Sequence, residues 1–176
     1  MLFRSIDHPG IPLISSIRAA REALDECGKT GEVSLVAAGG IRSGTDVAKC
    51  LALGADAVMI GTAGLVALGC NSPRYFDDYA ALGTAPGRCH HCHTGLCPVG
   101  VATQDPELEK RVDVPAASER VARFLTAMTM EVTLLAKACG KSNVHNLEVE
   151  DLRALSLEAS AFTGVKLAGI DRPYSW

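Results

Sequence analysis

The start of the chain alternates between stretches with helical spacing and short, continuously apolar runs. In GIPLISSIRAAREALDECG the apolar residues from Leu13 to Cys27 recur at steps of three and four, which predicts a helix that stops at Gly28. The run EVSLVAAGG is short, apolar and partly β-branched, so it predicts a buried strand. An amphipathic helix followed by such a strand is typical of an α/β protein.

The same alternation then repeats. SGTDVAKCLALG predicts a helix that is capped by Ser43 or Thr45 and ends at Gly54. The residues Ala57 to Ile60 predict a second buried strand, which turns at a Gly-Thr pair into another helix. Two strands joined through a helix at this spacing predict a parallel sheet.

Residues 71–114 differ in composition from the rest of the chain. They are rich in Gly, Pro, Cys, His and Asp, which favours loops with only short helices. After Pro115, apolar residues from Val121 to Cys139 step by four and three and predict a long amphipathic helix. KSNVHNLEVEDLRALSLEASAFTG predicts a second helix that ends at Gly164. These changes predict three regions, over residues 1–70, 71–114 and 115–176.

Two glycine-containing turns follow the predicted strands and indicate a phosphate-binding site. Gly39-Gly40 ends the first strand and Gly61-Thr62 ends the second, so parallel pairing brings both turns to one edge of the sheet. Glycine lets the backbone approach a ligand, and the N–H groups of the next helix attract anions. Arg42 adds a charged donor. The loops after the last two strands of (β/α)8 barrels bind phosphate in this way. The alternative is a Gly-Gly pair that only permits a tight turn.

Four of the seven cysteines lie close together, three of them in the segment CHHCHTGLCPVG. In a reducing compartment such clustering favours metal ligation over disulfides. The residues alone leave two metals open: zinc held by three cysteines and one of His90, His91 or His93, or an iron–sulfur cluster held by cysteines. The four cysteines are Cys70, Cys89, Cys92 and Cys97.

Several other residues are interpreted as structural. Cys27, Cys50 and Cys139 fall on predicted helix faces, which indicates small buried apolar residues. Residues 77–79, Asp-Asp-Tyr, are predicted to lie in a solvated loop. His8 is assigned to a backbone contact in a loop.

Composition narrows the class of protein. The chain has 176 residues and a net charge of -3 with no basic run, which argues against nucleic-acid binding. No apolar run reaches the about 20 residues that a membrane helix requires. The N-terminal residues lack the apolar core of a signal peptide, so a cytoplasmic protein is predicted.

One stretch, GGIRSGTDVAKCLALGADAVMIGTA, resembles the last two βα units of an FMN-binding (β/α)8 TIM-type barrel, as in glutamate synthase and IMP dehydrogenase-like proteins. GLVALGC and CHTGLCPVGVATQDPEL are similar to the segment after the barrel in the glutamate synthase large subunit. ACGKSNVHNLEVEDLRAL resembles shorter glutamate-synthase-like proteins, including N-methylglutamate synthase subunits. The resemblance implies that the three predicted regions are the end of a barrel, an iron–sulfur loop and a helical extension.

The resemblance also implies the cofactor ligands. In glutamate synthases, three cysteines of the matching stretch hold a three-iron cluster, and Cys70, Cys92 and Cys97 match them. An insertion, NSPRYFDDYAALGTAPGR, brings the additional Cys89, which leaves open a four-iron cluster and whether Cys70 or Cys89 is a ligand. The implied contacts to the FMN phosphate are Gly39, Gly40, Arg42, Gly61 and Thr62.

For function, the resemblance implies an oxidoreductase that forms glutamate or N-methylglutamate from 2-oxoglutarate and an amino donor, which is glutamine, ammonia or methylamine. Because the chain supplies only two barrel strands, it is expected to need the rest of the barrel, a glutaminase-like partner and an electron donor, and to be inactive alone as a fragment, split subunit or remnant. The alternatives are a fragment of an IMP dehydrogenase-type phosphate-binding barrel enzyme and a non-catalytic zinc-binding module.

Overall fold

The computed structural model describes residues 11–170 of the chain, and His8 lies outside them. The chain divides into two compact units. The first unit consists of the residues up to Ile60 together with those from Met128 onward, and the second unit is Gly61–Ala127. The predicted division at residues 70 and 114 stays a prediction.

The first unit contains the predicted parallel α/β arrangement. Helix α1 spans Leu13–Glu26 and is followed by strand β1 (Val36–Ala38), helix α2 (Gly44–Ala52) and strand β2 (Ala57–Met59). The two strands pair in parallel and form the two-stranded sheet of the described residues, with Ala37 opposite Val58. The mixed helix and parallel-sheet class is therefore confirmed.

Side-chain caps and glycines explain why these elements end where they do. Gly28 has a φ of 64° just after α1, a left-handed conformation that glycine adopts without strain. Of the two predicted caps of α2, Ser43 takes the role, since its Oγ accepts a hydrogen bond from the Asp46 N–H at 3.3 Å. The Thr45 hydroxyl instead donates to Glu131 at 2.6 Å.

The strands are less buried than predicted. Ala37 is 3% exposed, but its neighbour Val36 is 49% exposed and Met59 in β2 is 62% exposed. Alternate side chains of a strand point to opposite faces of the sheet. Within residues 11–170 only the face that carries Ala37 is well covered, so the prediction of two fully buried strands is wrong for the described chain.

The first unit is closed by the second half of a long helix, α6, which spans Val114–Ala138 with Pro115 in its first turn, as predicted. Gly44 allows a close approach, because a Cβ there would lie 2.6 Å from the Met128 carbonyl oxygen. The core that forms is aliphatic and consists of Ala48, Leu51, Ala52, Val132, Ala136 and Leu147.

The predicted second C-terminal helix is wrong over most of its length. The segment forms two short 3-10 turns, Val144–Asn146 and Val149–Asp151, before helix α7 (Leu157–Thr163), which ends at Gly164 as predicted. Local caps and a bridge interrupt the helix: the Asn143 side chain caps the first turn, Ser156 caps α7, and Ala154 pairs in parallel with Leu167.

The second unit has only short helices, as its composition predicts, apart from the first part of α6. No helix in the described part of the chain combines the length and apolar character needed to cross a membrane. The helices before α6 are α3 (Thr62–Leu68), a 3-10 turn at Pro73–Tyr75, α4 (Phe76–Ala81), a 3-10 turn at His91–His93 and α5 (Pro106–Glu109).

Candidate metal centre and phosphate-binding turns

The core of the second unit contains sulfur where most cores contain hydrocarbon. Tyr79, Cys97 and Val99 are buried, and the half-buried Cys70 and Cys89 pack against them. All three of these cysteines are free thiols, as is the exposed Cys92. The structure therefore gathers three of the four predicted ligands around one small core.

Cys70 is positioned by the end of α3. Gly69 has a φ of 108° and ends the helix, and the Cys70 N–H donates to the Leu65 carbonyl at 3.0 Å. The Arg120 Nη2 donates to the Leu68 carbonyl at 2.9 Å, which satisfies one of the last carbonyls of the helix. The Tyr79 hydroxyl donates to the Cys70 carbonyl, so the backbone at Cys70 is held from both sides.

Cys97 is positioned by a tight turn against the end of α5. The Gly100 N–H donates to the Cys97 carbonyl at 3.0 Å, and the Arg111 Nη1 donates to the Pro98 carbonyl at 2.6 Å. Gly100 has a φ of 80°, and a Cβ there would lie 2.1 Å from the Leu108 carbonyl oxygen. The glycine of the CPVG motif is therefore required by both torsion and space.

The neighbouring thiols also affect one another electrostatically. Burial raises the pKa of Cys70, and the nearby thiols of Cys92, Cys97 and Cys89 raise it further. Burial, followed by the charges of Cys89, Cys70 and Cys97, raises the pKa of Tyr79 to about 12. The raised pKa favours the protonated Cys70 thiol at neutral pH, so a metal that binds this sulfur must displace its proton.

The donor atoms gathered at this core are thiols rather than imidazoles, which suits an iron–sulfur cluster. His90 and His91 stack on one another with ring centroids 5.3 Å apart, and His90 Nδ1 lies 3.3 Å from the Arg88 carbonyl oxygen. Among residues 11–170, no group of three or more His, Cys, Asp or Glu side chains is placed so that it could hold a metal ion. The assignment of the four cysteines as ligands stays a prediction, supported by an all-thiol donor set in an apolar setting.

Two residues of this region, Tyr79 and Arg111, were not predicted from the sequence. Residues 77–79 lie in helix α4 and Tyr79 is 0% exposed, so the predicted loop is wrong and so is the predicted exposure of Tyr79, whereas Asp77 is exposed as predicted. Asp78 forms an ion pair of 3.2 Å with Arg111. The spacing of Tyr75 and Tyr79 by four residues, one helical turn, was the available signal. No local pattern in the sequence singles out Arg111.

The cysteines outside the cluster differ from one another. Cys50 is 3% exposed and belongs to the buried face of α2, as predicted. Cys27 and Cys139 are exposed, so their predicted burial is wrong. Cys27 is the residue after the end of α1 and Cys139 follows the end of α6, where the helix face no longer packs.

The first glycine turn lies in the first unit, directly after β1. Gly39 and Gly40 have φ values of 125° and 67°, and no atom lies within 4 Å of where their Cβ atoms would be. The glycines are thus required for torsion, and the turn is open. They line a cavity of about 270 Å³ together with Lys49 of α2. The Arg42 side chain is 83% exposed, with its Nε 3.8 Å from Asp46 Oδ2.

The start of α2 differs from the expectation of free N–H groups. The Gly44 N–H donates to Glu131 Oε2 at 2.7 Å, and the Arg42 N–H donates to Asp46 Oδ2 at 3.0 Å. The Thr45 hydroxyl, and then the Gly44 N–H, lower the pKa of Glu131 below its usual range. The sequence did not point to Glu131, which lies 87 residues from Gly44.

The second glycine turn opens the second unit. Gly61 is the N-cap of α3, and no side-chain oxygen within the described chain caps this helix. Gly61 and Thr62 are exposed. The start of α3 therefore differs from the start of α2, where the chain's own carboxylates accept the hydrogen bonds.

Known proteins resemble the chain over most of its length. The family model described as a conserved region in glutamate synthase matches residues 2–142. A glutamate synthase large subunit-like protein of Rhizobium meliloti is 53% identical over 164 residues, which cover 93% of this chain and 37% of that protein. The archaeal glutamate synthase (NADPH) of Methanocaldococcus jannaschii is 41% identical over 167 residues, with 93% and 30% covered.

A more distant relative is the ferredoxin-dependent glutamate synthase of Cyanidium caldarium, which is 29% identical over 173 residues, with 92% of this chain and 10% of that protein covered. No solved structure matches the chain. The chain spans about a third of the length of the first two relatives. The match over residues 2–142 nevertheless assigns the family: this chain belongs to the glutamate synthase family.

Proposed function

We propose that the chain is the C-terminal portion of a glutamate-synthase-like oxidoreductase that uses FMN and an iron–sulfur cluster to form glutamate or N-methylglutamate from 2-oxoglutarate and an amino donor. The observation that carries the proposal is the convergence of cysteine thiols on one small core in a chain of this family. The same family assignment removes the alternative of an IMP dehydrogenase-type enzyme.

The cluster would be held by the four cysteines of the second unit and would supply single-electron transfer. The chain's own residues orient the ligands. Tyr79 holds the backbone of Cys70, and Arg111 holds the carbonyl of Pro98 beside Cys97. Val99 and Tyr79 exclude water from the inner side of the thiols. The ligands are Cys70, Cys89, Cys92 and Cys97.

The FMN phosphate would be held by the glycine turns. Because Glu131 and Asp46 already accept hydrogen bonds at the start of α2, the donors that support this role are the N–H groups at the two glycine turns and the Arg42 guanidinium, which is exposed. The proposed contacts are Gly39, Gly40, Arg42, Gly61 and Thr62.

The proposal requires further barrel strands, and the exposed apolar side chains of the two-stranded sheet support this requirement. Val36 and Met59 are apolar, and 49% and 62% of their surfaces are exposed on the two-stranded sheet. Such a sheet gains stability when more strands or another layer cover it. We therefore expect that turnover requires the rest of a barrel, a source of the amino group and an electron donor.

Metal analysis tests the cluster. The chain is purified without oxygen, and iron, acid-labile sulfide and zinc are measured together with the visible spectrum. We expect iron and sulfide in similar amounts and a broad absorption band at about 400 nm, as is general for iron–sulfur proteins. Stoichiometric zinc without sulfide would instead support the zinc-binding module.

A comparison of two flavins tests the phosphate site. FMN and riboflavin differ only in the phosphate, so the chain should quench FMN fluorescence more than riboflavin fluorescence. Arg42→Ala should reduce this difference, whereas Arg18→Ala, on α1 and paired with Glu22 at 3.0 Å, should leave it unchanged. Equal binding of both flavins would contradict the proposed phosphate contacts.

A further inference from the structure

A second cavity, of about 400 Å³, lies within the second unit; its wall shares Val99 and Arg111 with the surroundings of the cysteines but contains none of the proposed cofactor ligands. Three arginines and one carboxylate line it, so its charged side chains sum to +2. Five valine and leucine side chains supply the apolar part of the wall. The charged residues are Arg74, Arg111, Arg120 and Asp113.

Two of the guanidinium groups are held in place by neutral backbone carbonyls. The Arg120 Nε and Nη2 donate to the carbonyls of Ala67 and Leu68 at 3.3 and 2.9 Å. Arg111 donates to the Pro98 carbonyl at 2.6 Å and lies 4.8 Å from the centroid of the Tyr75 ring. Groups that are fixed before a ligand arrives lose less conformational entropy when they bind it.

The positive charge of the cavity is only partly balanced. Arg111 has an ion pair with Asp78, but neither Arg120 nor Arg74 has one within residues 11–170. The Arg74 guanidinium lies 5.8 Å from the centroid of the Tyr75 ring. Asp113 Oδ1 accepts from the Ala116 N–H at 3.1 Å at the start of α6, so that oxygen is already engaged.

We propose that this cavity binds a small organic dianion, with its carboxylate or phosphate oxygens against Arg74 and Arg120 and its apolar body against the valine and leucine side chains. Guanidinium groups match the geometry of both kinds of oxyanion. A volume of about 400 Å³ falls within the range of small-molecule sites. An anion also offsets the positive charge that remains on the wall once Asp78 has paired with Arg111. The site is additional to the proposed cluster and FMN sites.

Titration of the complete 176-residue chain tests the proposal. Succinate and ethyl phosphate are added separately at constant ionic strength in chloride, and binding is followed by calorimetry and by amide chemical shifts. We expect saturable binding of one equivalent of at least one dianion, and binding of acetate that is about tenfold weaker or more. The two dianions distinguish a carboxylate from a phosphate ligand. Absence of saturable binding by either overturns the proposal.

Variants separate a specific site from general electrostatics. Arg74→Gln changes an exposed side chain and should weaken dianion binding about tenfold while the thermal midpoint and the iron content stay unchanged. Arg120→Lys should weaken dianion binding as well. If this variant also lowers the thermal midpoint, the Arg74→Gln result alone tests the proposed site. The matched control is Arg88→Gln, an exposed arginine of the same unit outside the cavity lining. Equal affinity in Arg74→Gln and wild type, or an equal loss in Arg88→Gln, overturns the proposal. Because iron content is measured separately, failure here is distinct from failure of the proposed function.

Discussion

The two compact units have cores of opposite chemistry. In the first unit α2 and α6 close around alanine, leucine and valine side chains, and no polar group is needed inside. In the second unit the buried group consists of Tyr79, Cys97 and Val99, with Cys70 and Cys89 packed beside them. The first core consists of hydrocarbon side chains, whereas the second places thiols and a phenol hydroxyl where hydrocarbon would pack.

This difference in core chemistry bears on which unit needs a bound cofactor for its stability. Aliphatic burial stabilises a fold directly, whereas the Cys70 thiol, whose pKa is raised by burial, must lose its proton before it can ligate a metal. Under the proposed function, the stability of the second unit should depend on the bound cluster more than that of the aliphatic core does. Four experiments test this contrast.

The largest effect is expected from Cys97→Ser. The side chain is 7% exposed at the centre of the second unit. Loss of this thiol should reduce iron and labile sulfide to background and increase amide hydrogen exchange over 61–127. The control Cys50→Ser, also buried but in the first unit, should keep full iron. Full iron in Cys97→Ser would contradict its role as a ligand.

Leu51→Ala should lower the free energy of unfolding by about 2–4 kcal/mol, because it opens a cavity in the aliphatic core. Chemical denaturation measures this change. Leu134→Ala, at a position 65% exposed on α6, should change it by less than about 0.5 kcal/mol. Iron content should be unaffected in both variants. Loss of iron in Leu51→Ala would show that the two cores are not independent.

Tyr79→Phe should cost about 1–2 kcal/mol, since it leaves the Cys70 carbonyl without its buried hydroxyl donor. The matched control is Tyr75→Phe, whose hydroxyl reaches the Arg111 carbonyl only at 3.5 Å and should matter less. Denaturation of metal-free protein gives both values. A smaller loss for Tyr79→Phe than for Tyr75→Phe would reverse the proposed importance of the two hydroxyls.

The smallest effect is expected at Glu131. The pKa of Glu131 is lowered in the folded chain. Its ionised form therefore adds stability at pH values above the unfolded pKa of about 4.3. This stability is lost as the pH falls through the lower pKa of the folded state. Wild type should therefore exceed Glu131→Gln in thermal midpoint at pH 7, and the gap should close in acid. Glu26→Gln, an exposed residue at the end of α1, is the control. A gap that does not change with pH would show that the carboxylate charge is not involved.

Local features of the fold were readily predicted from sequence. The end of α1 at Gly28, the start of α2 at Ser43 and the proline in the first turn of α6 depend on neighbouring residues and on backbone torsion. The C-terminal region shows the limit of the same reasoning. Its apolar spacing suits a helix, but Leu147 is buried in the core of the first unit and Ala154 pairs with Leu167. Packing and pairing with distant residues therefore outweighed helical propensity.

The parallel α/β class, the positions of the glycine turns and the clustering of thiols follow from short segments of sequence, because periodicity, backbone torsion and ligand type depend on neighbouring residues. The side chains that surround these features depend on how distant segments pack. This packing placed Tyr79 at the centre of the cysteine core and Glu131 at the start of α2, and it left Val36 exposed on its strand. These outcomes depend on contacts between residues far apart in the chain, and only the burial of Tyr79 left a local signal, its four-residue spacing from Tyr75.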